Sequence, residues 1–438
     1  MPDLPRRRVT SALACLFAAA AGASLPAAAQ RLPAFDTLVS LPGADLAPAA
    51  LLQGPLHKVE EPVFLDAFLG RFVIDSDFGQ FTVVGVNMLA VRANEMRAIQ
   101  VLQETSKSRA FQDSLVQAAQ APVQLVQSAV TNPLGTVENI GQGMGSVLSR
   151  IGFLARSTAQ NVADSTSGSA PASAGLPPAP KDEPVPPAFN GDPFGYNKAR
   201  RDWARQLNID PYTSNPVLRP LLDNASAASF AGSFAVNTAI GAVSMGANLV
   251  IGFDTDVRDA VWNQPPVDLA RDNEARLLAL GVDSRTVRDF LRNRWFTPSL
   301  QTALAMALAR MGGVTNAQSV VAIAAQVQGE VRVRFLVESV RMLADYDGKE
   351  GRPVRLQMSG MVPVAVADNG ALIVAAGVDY VRWNEAAAEF LSRGDFSTKR
   401  RVLLVAGNVT PAARRALEDK GWTLRVGLRP YHQVSTRP

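Results

Sequence analysis

The stretch Arg205–Asp223, RQLNIDPYTSNPVLRPLLD, decides how the middle of the chain is read. Asp, Tyr, Thr and Asn crowd around two prolines, as they do in active-site loops and also in corners between helices. The same punctuation returns at Leu280–Thr286, LGVDSRT, and at Met311–Ala317, MGGVTNA. In each, Asn208, Gly281 or Gly312 tolerates the left-handed conformation that ends a helix, and Ile209, Val282 or Val314 tucks back onto it. Asp210, Asp283 or Thr315 then accepts the free N–H groups of the next helix. Pro211 suits a first helical position. A thrice-repeated mechanism of this kind predicts a corner, with Tyr212 and Asn215 holding it together, inside an all-helical domain over 191–346.

Beyond that domain the period changes. At 350–430, strands around Asp368-Asn369-Gly370, a helix in VDYVRWNEAAAEFLSR, and then RVLLVAG, TPAARRALEDKG and WTLRVGL alternate as a small α/β layer. Thr410, Pro411 and Gly421 cap, open and close the last helix. On the other side, 163–190 is rich in Ser, Pro and Ala and poor in large apolar residues, which reads as a disordered linker. Before it, 56–162 reads as a β-hairpin over Phe68–Gly85 followed by helices. Leu89, Arg92, Glu95, Ile99 and Leu102 share one face of the first helix, a second covers Ser108–Ala121, and a third carries an apolar stripe from Val137 to Leu154. The predicted fold class is therefore mixed α and β, mainly α.

The first 29 residues have the grammar of a signal peptide: Arg6–Arg8, an apolar run from Val9 to Ala23, and Ala27-Ala28-Ala29 before Gln30. Cys15 is the only cysteine, so cleavage there leaves a cysteine-free mature chain held by its cores alone. Such a chain is secreted or periplasmic. The net charge of +4 includes Arg6–Arg8, and Lys399-Arg400-Arg401 has no interleaved aromatics, so nucleic acid is not an expected partner. With two histidines, His57 and His432, no histidine-rich metal centre is expected, and nothing in the chain calls for a cofactor.

Three constellations carry candidate chemistry. AVSMG, Ala242–Gly246, matches a variant nucleophile elbow, and Ser244 with Asp379 and His432 has the chain order of a hydrolase triad. LVIGFDTDV, Leu249–Val257, matches the apolar strand and Asp-x-Asp of phosphatases, with Asp254 as nucleophile and Asp256 as acid. The sequence around both reads as helix, and the two make opposite demands on Gly246–Ile251. Asp379, Tyr380, Arg382, Trp383 and Glu385 gather where a strand turns into a helix, the place where α/β layers bind ligands. Asp379 there also reads as a helix cap. Asn224–Phe253 is uncharged and long enough to span a bilayer, but its alanines and asparagines favour burial among helices over insertion.

DPYTSNPVLRPLLD, NEARLLALGVDSRTVRDFLRNRWFTPSLQTALAMAL and GVDYVRW together resemble an uncharacterised group of exported bacterial proteins over roughly Asp192–Trp383. The resemblance implies export and no assigned activity. The expectation from sequence is an exported, non-catalytic interaction protein with a protein or envelope partner. A hydrolase using Asp379 with Ser244 or Asp254, and a protein inserting 224–253 into membrane, are the alternatives. Expressed with its leader, the protein should be released with a mass that begins at or near Gln30; a product retaining Cys15, or one carrying acyl chains, would contradict the export reading.

Overall fold

The computed structural model describes residues 35–120, 196–231, 254–398 and 400–429. The expected signal peptide, the helix over Val137–Leu154, the linker, Ser244 and His432 lie outside them.

The N-terminal hairpin is the spine of a six-stranded sheet. Strands β5 (Leu69–Ser76) and β6 (Gly79–Val84) pair along their length, from Arg71 opposite Val84 to Ser76 opposite Gly79. Ser76 Oγ closes the turn, donating to Gly79 O at 2.7 Å, and Gly79 takes φ 108°, which a side chain would resist. The other edge of β5 is shared by β4 (Val63–Asp66) and β3 (His57–Val59), which lead on to β1 (Ser40–Leu41) and β2 (Gln53–Gly54). A short helix, α1 (Ala49–Leu52), joins β1 to β2. Four of these strands have only two to four residues, too few for alternation to reveal them.

Helix α2 (Val86–Ser106) buries 14 of its 21 residues and is the central rod of the first core. Its Met96, Ile99 and Leu102 share one core with Phe72, Ile74 and Phe81 of the sheet. Helix α3 (Arg109–Gln120) follows. Helices α4 (Tyr196–Gln206) and α5 (Leu218–Ala231) enter the same core through Trp203, Leu207, Leu222 and Ala228. Trp203 Nε1 donates to Ala225 O at 3.1 Å and Ser229 Oγ at 2.9 Å, fixing the pair.

The remaining helices are α6 (Thr255–Asn263), α7 (Pro266–Ala279), α8 (Ser284–Arg292), α9 (Pro298–Arg310), α10 (Ala317–Ala324) and α11 (Glu330–Ala344). They pack on a five-stranded sheet ordered β13-β11-β9-β8-β7. Its strands are β7 (Pro353–Ser359), β8 (Val362–Ala367), β9 (Leu372–Ala376), β11 (Arg401–Val405) and β13 (Trp422–Arg425), the last three parallel. Alternation assigns the two faces. Ala365, Ile373, Ala375, Val402 and Leu404 meet the helical layer, while Val364, Leu372, Val374, Leu403 and Val405 meet α12 (Glu385–Leu391) and α13 (Pro411–Asp419). Among the described residues of the expected helical segment 191–346 the regular elements longer than a bridge are all helices, joined by turns, but the first two helices share a core with the N-terminal sheet. Periodicity shows that a helix has an apolar face, not which neighbour covers it.

The corners also differ in detail. Asp283 caps α8, accepting from Thr286 N at 2.9 Å. In the third corner Gly313, not Gly312, takes positive φ, and Asn316 rather than Thr315 occupies the cap position of α10. In the first corner Asp210 does not cap a helix and Pro211 does not begin one. Asp210 accepts from Tyr212 N at 2.9 Å, and Asn215 Oδ1 caps the entry to α5 through Val217 N and Leu218 N, with Pro216 in the turn that leads into the helix. Glu95 holds Asn215 Nδ2, which leaves Asn215 Oδ1 facing the free N–H groups of the helix.

That corner is a buried junction. Glu95 on α2 accepts from Thr213 Oγ1 and from Asn215 Nδ2 at 2.9 Å, and pairs with Arg92 at 2.7 Å. Arg92 Nη2 reaches Ser214 Oγ at 2.9 Å, which donates to Glu330 of α11 at 3.0 Å. Ser299 of α9 donates to Asp210 at 2.6 Å. Burial works against the charge on Arg92, but Glu95 and Glu330 outweigh it and raise its pKa. For Asp210 burial wins, and its carboxyl is pushed up. Glu95→Ala strands the Arg92 charge away from water and should cost about 3–5 kcal/mol in denaturant unfolding. Arg92→Met with Glu95→Leu should recover most of that loss. A single substitution costing under about 1 kcal/mol, the range of an exposed pair, would show the network to be dispensable.

Candidate functional site

Two Ala-Gly pairs end the parallel strands β9 and β11, Ala376-Gly377 and Ala406-Gly407. The glycines let backbone converge. A Cβ on Gly407 would lie 1.9 Å from the Asp379 carbonyl oxygen, and one on Gly377 would lie 3.0 Å from Glu338 Cβ. The chain between them forms β10 (Tyr380–Val381), which pairs in parallel with β12 (Asn408–Val409).

Asp379 sits at this edge, 1% exposed. It is not a local helix cap, a role Asn384 fills for α12 by accepting from Ala387 N at 2.9 Å. Instead, Asp379 Oδ2 accepts from Gly70 N at 2.8 Å, and both of its oxygens accept from Val86 N, at 3.2 and 3.1 Å. Val86 opens α2, whose own cap position holds Gly85, a residue with no side chain to serve. A carboxylate 293 residues away in sequence caps the central helix, where the helix dipole favours negative charge. Arg429 Nη1 donates to Asp379 at 2.6 Å, while its Nε and Nη2 hold Glu338 of α11 at 2.6 and 3.2 Å. Asn87 Nδ2 completes Glu338 at 2.8 Å. Burial pushes the Asp379 carboxyl up from its usual range, against Arg429 and the Gly70 and Val86 N–H groups, which pull it down.

A second contact runs beside this one. Asp36 N donates to Trp383 O at 2.7 Å, and Asp36 Oδ2 accepts from Trp383 N and Thr410 Oγ1, both at 2.6 Å. Arg382 Nη1 reaches Leu38 O at 2.6 Å, and Phe68 O accepts from Asp379 N and Tyr380 N, each at 3.0 Å. Of the sequence-predicted cluster, Asp379, Tyr380, Arg382 and Trp383 all grip the N-terminal part of the chain, and Glu385 stands exposed in the first turn of α12. Beside the clasp a shallow cleft, with space of only about 10 Å³, is lined by Leu69, Asn87, Met88, Arg334 and Phe335. The N-terminal elements thus occupy the carboxyl end of a parallel sheet, where open α/β folds usually take ligands.

Asp254 belongs to a different cluster. It pairs with Arg310 of α9 and Arg341 of α11; burial opposes its charge, but the two arginines outweigh it and hold its carboxyl below the usual range. Asp256 lies in the first turn of α6, on helix where the phosphatase pattern calls for a loop. Asp254 and Asp379 share no hydrogen-bond partner. His57 is buried, its Nε2 3.1 Å from Leu51 O. Among the described residues no three His, Cys, Asp or Glu side chains gather as a metal centre.

Sequence reasoning picked out Asp379 but missed Gly70, Val86, Glu338 and Arg429. The available clue was an N-cap glycine before a long, largely buried helix, which demands a cap from elsewhere. No family description, curated protein or solved structure matches the chain.

Asp379→Ala should destabilise the protein by about 3–5 kcal/mol, because Arg429 is left buried with half its partners gone. Acetate or formate at tens of millimolar should restore part of the melting temperature of that variant and leave the wild type unchanged. Equal response of the two proteins would show that no anion-shaped gap is left.

Proposed function

We propose that this is an exported, non-catalytic interaction protein acting on a protein or envelope partner. The observation that supports this best is the use made of Asp379. This polar cluster at a sheet edge spends both carboxylate oxygens, and the backbone around them, on joining distant parts of the same chain. A hydrolase would need Asp379 free to orient a histidine, or Asp254 free to attack, and each is held by arginine. On this reading the chain comprises a leader, an N-terminal sheet-and-helix part, the 163–190 linker, the helical part and the C-terminal α/β layer. The clasp keeps these parts in one arrangement for presentation to the partner. Among the described residues no helix is long and apolar enough to cross a membrane. The start of the uncharged run, from Asn224, belongs to α5 and packs Ala225 and Ala228 into the first core.

The test is genetic and physical together. Ser244→Ala and Asp254→Asn should complement a deletion strain fully, and Asp379→Ala should complement only as far as its folded population allows. A folded Ser244→Ala or Asp254→Asn protein that fails to complement, with its melting temperature unchanged, would move the reading to the hydrolase.

A further inference from the structure

We infer that Arg201, on α4, belongs to a binding site for a small oxyanion, a carboxylate or phosphate group. Arg201 is 7% exposed, and its Nε and Nη1 are sealed from solvent with no acceptor among the described residues. Its neighbour Arg200 is buried to the same degree and shows the ordinary solution: Nε donates to Pro211 O at 2.6 Å and Nη1 pairs with Asp223. Among the described residues no carboxylate pairs with Arg201. Asp210, the buried acid of the adjoining corner, takes its hydrogen bonds from Ser299 and the Tyr212 backbone instead.

A guanidinium removed from water without a counter-ion costs several kcal/mol, and stable proteins supply the missing charge. What surrounds Arg201 sets the kind of charge. The Tyr212 hydroxyl lies against the guanidinium, and burial raises the phenol well above its usual range, so at physiological pH it stays a neutral hydroxyl and adds no competing negative charge. Arg200, on the same turn, is paired with Asp223 but leaves its own Nη2 sealed without an acceptor. Guanidinium N–H groups in a fixed fork, with a hydroxyl beside them, fit the paired oxygens of a carboxylate or phosphate and repel a cation. The site stands apart from the Asp379 clasp and does not depend on the proposed role of the protein.

The probe is inorganic phosphate, with acetate alongside it, titrated into the mature full-length chain at constant ionic strength against chloride. Calorimetry should show saturable binding of at least one of the two anions, and the melting temperature should rise with its occupancy. Arg201→Met should abolish the saturable component. Arg201→Lys should weaken it about tenfold or more, since an ammonium keeps the charge but not the fork. If Arg201→Met fails to fold, Tyr212→Phe decides, with binding several-fold weaker in a folded protein. The inference is overturned if neither anion binds the wild type saturably. It is equally overturned if the folded Arg201→Met protein, or Tyr212→Phe where that variant alone folds, binds as tightly as the wild type.

Discussion

A carboxylate sealed from water must find donors, and Asp379 finds them on three separate stretches of chain. Gly70 and Val86 come from the N-terminal sheet and central helix, and Arg429 comes from the C-terminal end of the described chain and brings Glu338 of α11 with it. Each donor also needs Asp379: Val86 has no capping side chain of its own, and Arg429 would otherwise be half-paired in the interior. The mutual requirement makes the contact an all-or-none closure. It is reinforced by Asp36, which ties the segment before β1 to Trp383 and Thr410, and Thr410 in turn caps α13 at Ala413 N.

The second seam follows the same logic on the other side of α2. Glu95 and Arg92 face the Asp210–Asn215 corner, and Ser214 carries the network to Glu330. Helix α2 is therefore gripped at its first turn by the C-terminal layer and at mid-length by the helical layer. Burying charge in this way adds little net stability when complete and is costly when broken. Such seams fix one arrangement of the layers against others of similar hydrophobic burial. On the interaction role proposed above, such seams would hold the presented surface in one shape.

How much of this was legible in the sequence depended on range. Local devices were legible: the Ser76–Gly79 turn, the Asp283 and Thr410 caps, the strand–helix–strand order from Arg401 to Arg425, and the helices around each corner. Where two local signals competed, as Asp210-Pro211 against Asn215-Pro216, the choice was settled by contacts from α2 and α9 that a one-dimensional reading does not contain. The position of Asp379 at a strand end was legible, but its role was not, because its partners lie 309, 293 and 50 residues away. Arg92 and Glu95 fell within the helical spacing that marked α2; only the structure shows that they meet a polar corner while their neighbours enter a hydrophobic core.

The closure is tested most directly by native-state hydrogen exchange at the amides of Gly70, Val86 and Tyr380. If Asp379 and Phe68 hold these groups as part of one cooperative unit, they exchange only on global unfolding, with the same free energy as Ile373 and Val374 in the centre of the C-terminal sheet. Exchange of the three through a low-energy opening, while Ile373 and Val374 stay protected, would mean that the N-terminal part detaches on its own and that the clasp does not hold the fold together.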